Sequence, residues 1–157
     1  MAGFKDLFSN QSADYSKFRP RYPSELFDWL GQQVSQKKAA WDCGTGNGQA
    51  AVELGLRFET VFATDPSEKQ LQKAESHPRV IYSSGSAENS GLQAGSVDVI
   101  TVAQAYHWFN HKAFFAEARR VGRPGAVVAV WTYNLARISP GIDAAIEILY
   151  DQILGSY

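Results

Sequence analysis

Three observations predict a doubly wound α/β fold, a mostly parallel sheet with helices on both faces. Short apolar runs alternate along the chain with helix-like segments. The runs are rich in Val, Ile and Thr and do not alternate strictly with polar residues, as strands buried on both faces should read. One of them, Ala39-Ala40-Trp41-Asp42-Cys43, leads directly into Gly44-Thr45-Gly46-Asn47-Gly48, the kind of glycine turn through which such a sheet passes from strand to helix.

The elements follow in order. Ser24–Gln33 reads as a helix capped by Ser24, with Leu26, Phe27, Leu30 and Val34 on one face. Ala39–Cys43 is the first strand and Gln49–Arg57 the helix after the glycine turn. Thr60–Thr64 is the second strand, and the helix after it, Ser67–Glu75, takes Ser67 behind Pro66 as its N-cap. Val80–Ser83 and Val97–Ala103 are the next strands. Lys112–Val121 is a helix stopped by Gly122 with Pro124-Gly125, and Ala126–Thr132 is the fifth strand.

Beyond it only one more helical pattern, Ile142–Leu154, follows, so the expectation is a sheet whose C-terminal strands are missing. No repeat, low-complexity tract or linker divides the chain. We read 1–157 as a single domain, with a helical N-terminal segment over 1–38, a cofactor-binding sheet core over 39–133 and a C-terminal helix over 134–157.

Composition limits the partners. With 15 Lys and Arg against 16 Asp and Glu, a net charge of −1 gives no electrostatic case for nucleic acid or an anionic membrane, which leaves a small molecule. The single cysteine, Cys43, excludes an internal disulfide framework, suits a reducing cytosol and has no neighbour in sequence to activate it. Met1 to Asn10 lacks an apolar signal core, and no apolar stretch approaches ~18 residues, so a soluble, cytoplasmic protein is expected.

The loop spacing narrows the ligand. A dinucleotide fingerprint, G-x-G-x-x-G, would put its third glycine at position 49, but that residue is Gln49 and the glycine stands one place early, at Gly48. Asp42, two residues before Gly44, sits where a pyrophosphate would be repelled and an ammonium group held. Asp65 ends the next strand, where a carboxylate can chelate a ribose diol, although it also suits an Asp-Pro turn with Pro66. S-adenosylmethionine combines an ammonium, a carboxylate, a ribose diol and an adenine. A nicotinamide-dependent oxidoreductase shares the layout but conflicts with Gln49 and Asp42.

A dense aromatic cluster, Tyr106-His107-Trp108-Phe109, follows the fourth strand at the end where α/β sheets bind ligands. It suits a methyl acceptor, with His107 as a base or polar contact; core packing for Trp108 and Phe109 and a structural hydrogen bond for His107 are equally open.

Together these residues resemble the class I S-adenosylmethionine-dependent methyltransferases, whose fold is Rossmann-like, and within them the type 11 methyltransferase domain near trans-aconitate methyltransferase-like proteins. The resemblance is carried by Tyr15 with Arg19-Pro20-Arg21-Tyr22-Pro23, by Trp41 to Ala51, and by Ala63-Thr64-Asp65-Pro66-Ser67. Ser86-Ala87-Glu88, Val102 to Phe109 and Arg120 to Gly125 complete it. It implies a sheet of more strands than the five found here, ending in a hairpin.

It further implies that Gly44, Gly46 and Gly48 admit the cofactor's methionyl and ribose portion, that Asp42 orients the ammonium and that Asp65 takes both ribose hydroxyls. Ala87 would present backbone to the adenine, with Ser86 or Glu88 near the exocyclic amine, and Gln104 would offer its carbonyl to the methionyl end. Many relatives carry Asp where this chain has Ser86. Tyr15 and Arg19 would fold over the cofactor, with Arg19 meeting a carboxylate. The function implied is methyl transfer to a small molecule, with a carboxylate acceptor needing no general base. The alternative is a non-catalytic or partner-completed cofactor-binding module, such as a homodimer covering the open sheet edge.

Overall fold

A computed structural model describes residues 21–132 and 138–150. Its five strands are β1 (Ala39–Cys43), β2 (Thr60–Asp65), β3 (Val80–Ser84), β4 (Val97–Ala103) and β5 (Gly122–Trp131). The helices are α1 (Ser24–Gln32), α2 (Gln49–Gly55), α3 (Glu68–Leu71), α4 (His111–Val121) and α5 (Pro140–Ile148), with a 3₁₀ turn over Tyr106–Trp108. The strands form one sheet in the order β3-β2-β1-β4-β5, and every pairing is parallel.

The central position of β1 follows from its residues. All five are buried, because helices cover both faces of the strand. On one face Phe27 and Leu30 of α1 and Leu54 of α2 pack with Phe58, Ala40, Val61 and Val99. On the other Phe114, Ala118 and Val121 of α4 pack with Trp41, Cys43, Ile100 and Val102. The Trp41 indole, fully buried, donates to Thr64 Oγ1 at 2.9 Å, so a large apolar body enters the core without an orphaned N–H.

At the amino end of the sheet, buried Asp98 accepts from the Lys38 and Ala39 backbone N–H groups, each at 2.9 Å, and from Arg123 at 2.8 Å. That acid ties the starts of β1, β4 and β5 together. The carboxyl end is left for chemistry.

Three local expectations change. Ser24 is the first residue of α1 and Pro23 occupies the cap with no side-chain bond; extended at φ −63°, ψ 136°, it sets the chain direction instead. The helix behind Ser67 is a single turn, Glu68–Leu71, although Ser67 does cap it, accepting from the Gln70 N–H. β5 begins at Gly122, directly after α4, because the irregular pairing between Val97 and Val99 of β4 absorbs Arg123-Pro124-Gly125 as a bulge, with Gly125 at φ +83°. Among the described residues no helix is long and apolar enough to cross a membrane.

Candidate active site

The chain runs outward from β1 through β2 to β3, then returns to β4 on the other side of β1. The connections leaving β1 and β4 therefore diverge, and a crevice opens at their carboxyl ends. The glycine loop lies there. Gly44 and Thr45 donate backbone N–H bonds to the Thr64 carbonyl at 2.9 and 3.0 Å, and the Gly48 N–H donates to the Thr45 carbonyl at 3.0 Å.

The three glycines serve different neighbours. All have positive φ, at 71°, 56° and 86°. A Cβ on Gly44 would stand 2.6 Å from Ala105 Cβ, so this glycine lets the loop lie against the segment after β4. A Cβ on Gly48 would collide with the Tyr82 hydroxyl, which itself donates to the Glu75 carbonyl at 2.7 Å. A Cβ on Gly46 would meet nothing within 4 Å among the described residues, and of the three glycines it alone is open on that side.

Asp42 is 1% exposed. One of its carboxylate oxygens accepts from Thr45 Oγ1 at 2.6 Å and the other from Thr101 Oγ1 at 2.7 Å, and the Ala51 backbone N–H of α2 also favours its ionised form. No cation pairs with it among the described residues. Burial, reinforced by the nearby charge of Asp65, pushes its pKa to about 6 despite the hydroxyl donors.

Asp65, at the end of β2, accepts from the Gly46 N–H and from the Ser67 N–H, both at 2.9 Å. It thus holds the open glycine against β2 and turns the chain into α3, so its turn-forming role and its position at the loop coexist. Ser86 forms an isolated bridge with Asn89 and accepts that residue's N–H at 3.1 Å. Ala87 is buried beside Cys43 and Trp41, and Glu88 accepts the Asn110 N–H at 2.8 Å, joining the loop after β3 to the one after β4.

Gln104 has φ +61°, the single non-glycine residue with positive φ among those described. Its N–H donates to the Trp131 carbonyl at 3.0 Å and its Oε1 accepts from Thr132, while its Nε2 is buried without a partner. The aromatic cluster divides. Tyr106 turns inward, stacked on His111 at 4.1 Å between ring centres and packed edge-on against Phe114 and Phe115. Phe109 packs against the same core, whereas His107 is exposed and Trp108 is 57% exposed, their rings 4.8 Å apart. Trp108 is therefore not a core residue.

Tyr15 and Arg19 lie outside the described residues. Cys43 is buried, and burial raises its thiol well above the usual range, which makes it an inert packing group. A cavity of about 440 Å³ opens elsewhere, on the α4 side of β5, lined by Phe115, Ala118, Arg119, Arg123 and Val128 among others. No glycine-loop residue lines it, so this cavity is separate from the crevice at the carboxyl ends of β1 and β4.

Residues 41–130 match the methyltransferase domain family. A candidate methyltransferase of Dictyostelium discoideum is 40% identical over 144 residues, covering 91% of this chain and 55% of that protein. An uncharacterized methyltransferase of Mycobacterium tuberculosis is 34% identical over 133 residues, covering 83% of this chain and 54% of its own length. Among solved structures, a candidate type II methyltransferase from Anaeromyxobacter dehalogenans superposes with a TM-score of 0.79 at 50% identity, covering 88% of this chain and 59% of that one. The chain belongs to the methyltransferase domain family, an S-adenosylmethionine-dependent class. It spans about half the length of the curated relatives it matches.

Proposed function

We propose that the protein transfers a methyl group from S-adenosylmethionine to a small molecule, a carboxylic acid by preference, and that Asp42 carries the argument. A buried carboxylate without a cation, close enough to Asp65 to feel its charge, creates an unmet demand for positive charge beside an open loop. An ammonium-bearing sulfonium meets that demand, whereas a dinucleotide's pyrophosphate would add to the repulsion. The open space at Gly46 fits the same ligand.

When bound, S-adenosylmethionine supplies an electrophilic methyl group. The chain's part is to hold and orient. Asp42 orients the ammonium, Gly46 allows close backbone approach, and Asp65, at the end of β2 beside Gly46, accepts the ribose hydroxyls. Ser86 and Ala87 flank the adenine, and Gln104 turns its carbonyl toward the methionyl end.

His107 and Trp108, exposed beyond β4, position the acceptor. A carboxylate is already ionised at neutral pH, so neither need remove a proton. In-line positioning can supply on the order of 7–11 kcal/mol, which explains a site without a catalytic dyad. Tyr15 and Arg19, in the segment 1–38, complete the proposal by closing the site from water.

Calorimetric titration with S-adenosylmethionine, S-adenosylhomocysteine and NAD tests the reading. Binding of NAD with no binding of the other two would end it. A second reading, a module completed by a partner, draws on β5, whose Val128 and Val130 are 38% and 43% exposed on the outer strand of the sheet. Sedimentation decides whether a homodimer covers that edge; a monomer that binds cofactor removes the homodimer.

A further inference from the structure

Buried polar atoms nearly always have partners in protein, ligand or ordered water, so those without a protein partner mark where a ligand or water can bond. Four such side-chain atoms occur among the described residues: Gln49 Oε1, Ser96 Oγ, Gln104 Nε2 and Trp131 Nε1. Ser96 precedes β4 at the amino end of the sheet, but the other three lie at the carboxyl end, at the start of α2 and the ends of β4 and β5. Their distribution follows the crevice.

Gln49 is the one that shares the glycine loop with the buried charge of Asp42. It opens α2 directly after Gly48, at the far end of the glycine loop that Asp42 precedes. The loop is therefore preceded by a buried carboxylate with no cation, Asp42, and followed by an acceptor with no donor among the described residues, Gln49 Oε1. Hydroxyls already serve both Asp42 oxygens, so what the pair lacks is positive charge with several hydrogens to give. A primary ammonium has three N–H donors and full charge. A carboxylate or phosphate would leave the Gln49 carbonyl oxygen without a donor and meet Asp42 as a like charge.

We propose that Gln49 is a specificity residue for the α-ammonium end of the cofactor, its amide carbonyl accepting from the ammonium that Asp42 attracts. The proposal rests on the methyltransferase reading above and deepens it. The residue whose side chain breaks the dinucleotide spacing thereby selects an amino-acid-bearing nucleoside in its place.

The test separates the two claims by using two ligands that share adenine, ribose and thioether. S-adenosylhomocysteine carries the amino-acid group and 5′-methylthioadenosine does not. In titrations of the chain, Gln49→Met, near in shape but without the carbonyl, should weaken S-adenosylhomocysteine about ten-fold and leave 5′-methylthioadenosine unchanged, as loss of one hydrogen bond to a charged group requires. Gln49→Glu keeps an acceptor and should hold affinity at or above the parent's. The melting temperature of ligand-free Gln49→Met should not fall, since the carbonyl it removes is unpaired there.

Equal weakening of both ligands, unaltered S-adenosylhomocysteine affinity or a lowered ligand-free melting temperature would overturn the assignment of Gln49 alone. If the parent binds neither nucleoside, the methyltransferase reading fails and the assignment falls with it.

Discussion

The Asp65 carboxylate accepts a hydrogen bond from the Gly46 backbone N–H at 2.9 Å, which couples the end of β2 to the open glycine of the loop leaving β1. A ribose held by Asp65 would thus lie beside the backbone that must admit the rest of the ligand. Asp65→Ala should weaken S-adenosylhomocysteine by about 1.5–3 kcal/mol in titration, the range for hydrogen bonds to a charged acceptor. It should also lower the melting temperature, because the Gly46 and Ser67 N–H groups lose their acceptor. Reduced stability with unchanged affinity would leave Asp65 a turn-forming residue only.

The glycines of the loop should respond differently to substitution. Gly46→Val places a branched side chain in open space, so a folded chain that no longer binds cofactor is expected, with circular dichroism and titration run side by side. Gly48→Ala meets Tyr82 instead and should destabilise the fold. Adding Tyr82→Phe removes the colliding hydroxyl and should recover part of that loss, the φ of +86° accounting for the remainder. No recovery would mean that Gly48 is required for its backbone conformation alone.

Asp42 makes stability depend on pH in a definite direction. Its folded pKa of about 6 lies above the ordinary 3.8, so between these values the folded state binds the extra proton, and stability falls as pH rises through that window. The gap corresponds to about 3 kcal/mol. Glu117 works in the opposite sense at lower pH: hydrogen bonds from Arg120 and Ser90 hold it at about 2, so its contribution is present above its ordinary 4.5 and lost as pH falls through 2. Denaturant titrations at pH 4.5 and 7 isolate the Asp42 effect. Asp42→Asn should flatten it, and a slope unchanged by that substitution would assign the titration to another group. Cofactor affinity should rise with pH through about 6, as the carboxylate that attracts the ammonium ionises.

Much of this arrangement is legible in the sequence. β1 reads at its full length because a strand buried on both faces is a compact apolar run bounded by a glycine turn, and β4 for the same reason. The start of β5 is not legible, since Gly122, Pro124 and Gly125 are ordinary stop signals and only the pairing with β4 reveals a bulge. Local spacing likewise hides contacts between distant residues: Tyr82 over Gly48, Asp98 bracing three strand starts, and Tyr106 turning onto His111 while its neighbours face outward. The acids and glycines stand out in the sequence because their types and intervals suit a strand-to-helix turn. The unpartnered carbonyl of Gln49 could not, because a polar residue opening a helix is unremarkable until its burial is known.

The split within the aromatic cluster gives the last prediction, which requires an active protein and an identified acceptor. Tyr106 packs against Phe109, Phe114 and Phe115 and stacks on His111, so Tyr106→Ala should cost stability by about 2 kcal/mol or more, as truncation of a packed aromatic does. His107 and Trp108 are exposed. His107→Ala and Trp108→Ala should each reduce kcat/KM by about ten-fold or more while S-adenosylmethionine affinity stays within about 1 kcal/mol of the parent, and for His107→Ala the melting temperature should barely move. That pattern is the signature of lost acceptor positioning, since a cofactor contact would change affinity and a packing residue would change stability. Full activity in both alanine variants would remove the exposed pair from the acceptor site and shift attention along the same edge to Trp131, whose indole N–H is buried without a partner at the end of β5.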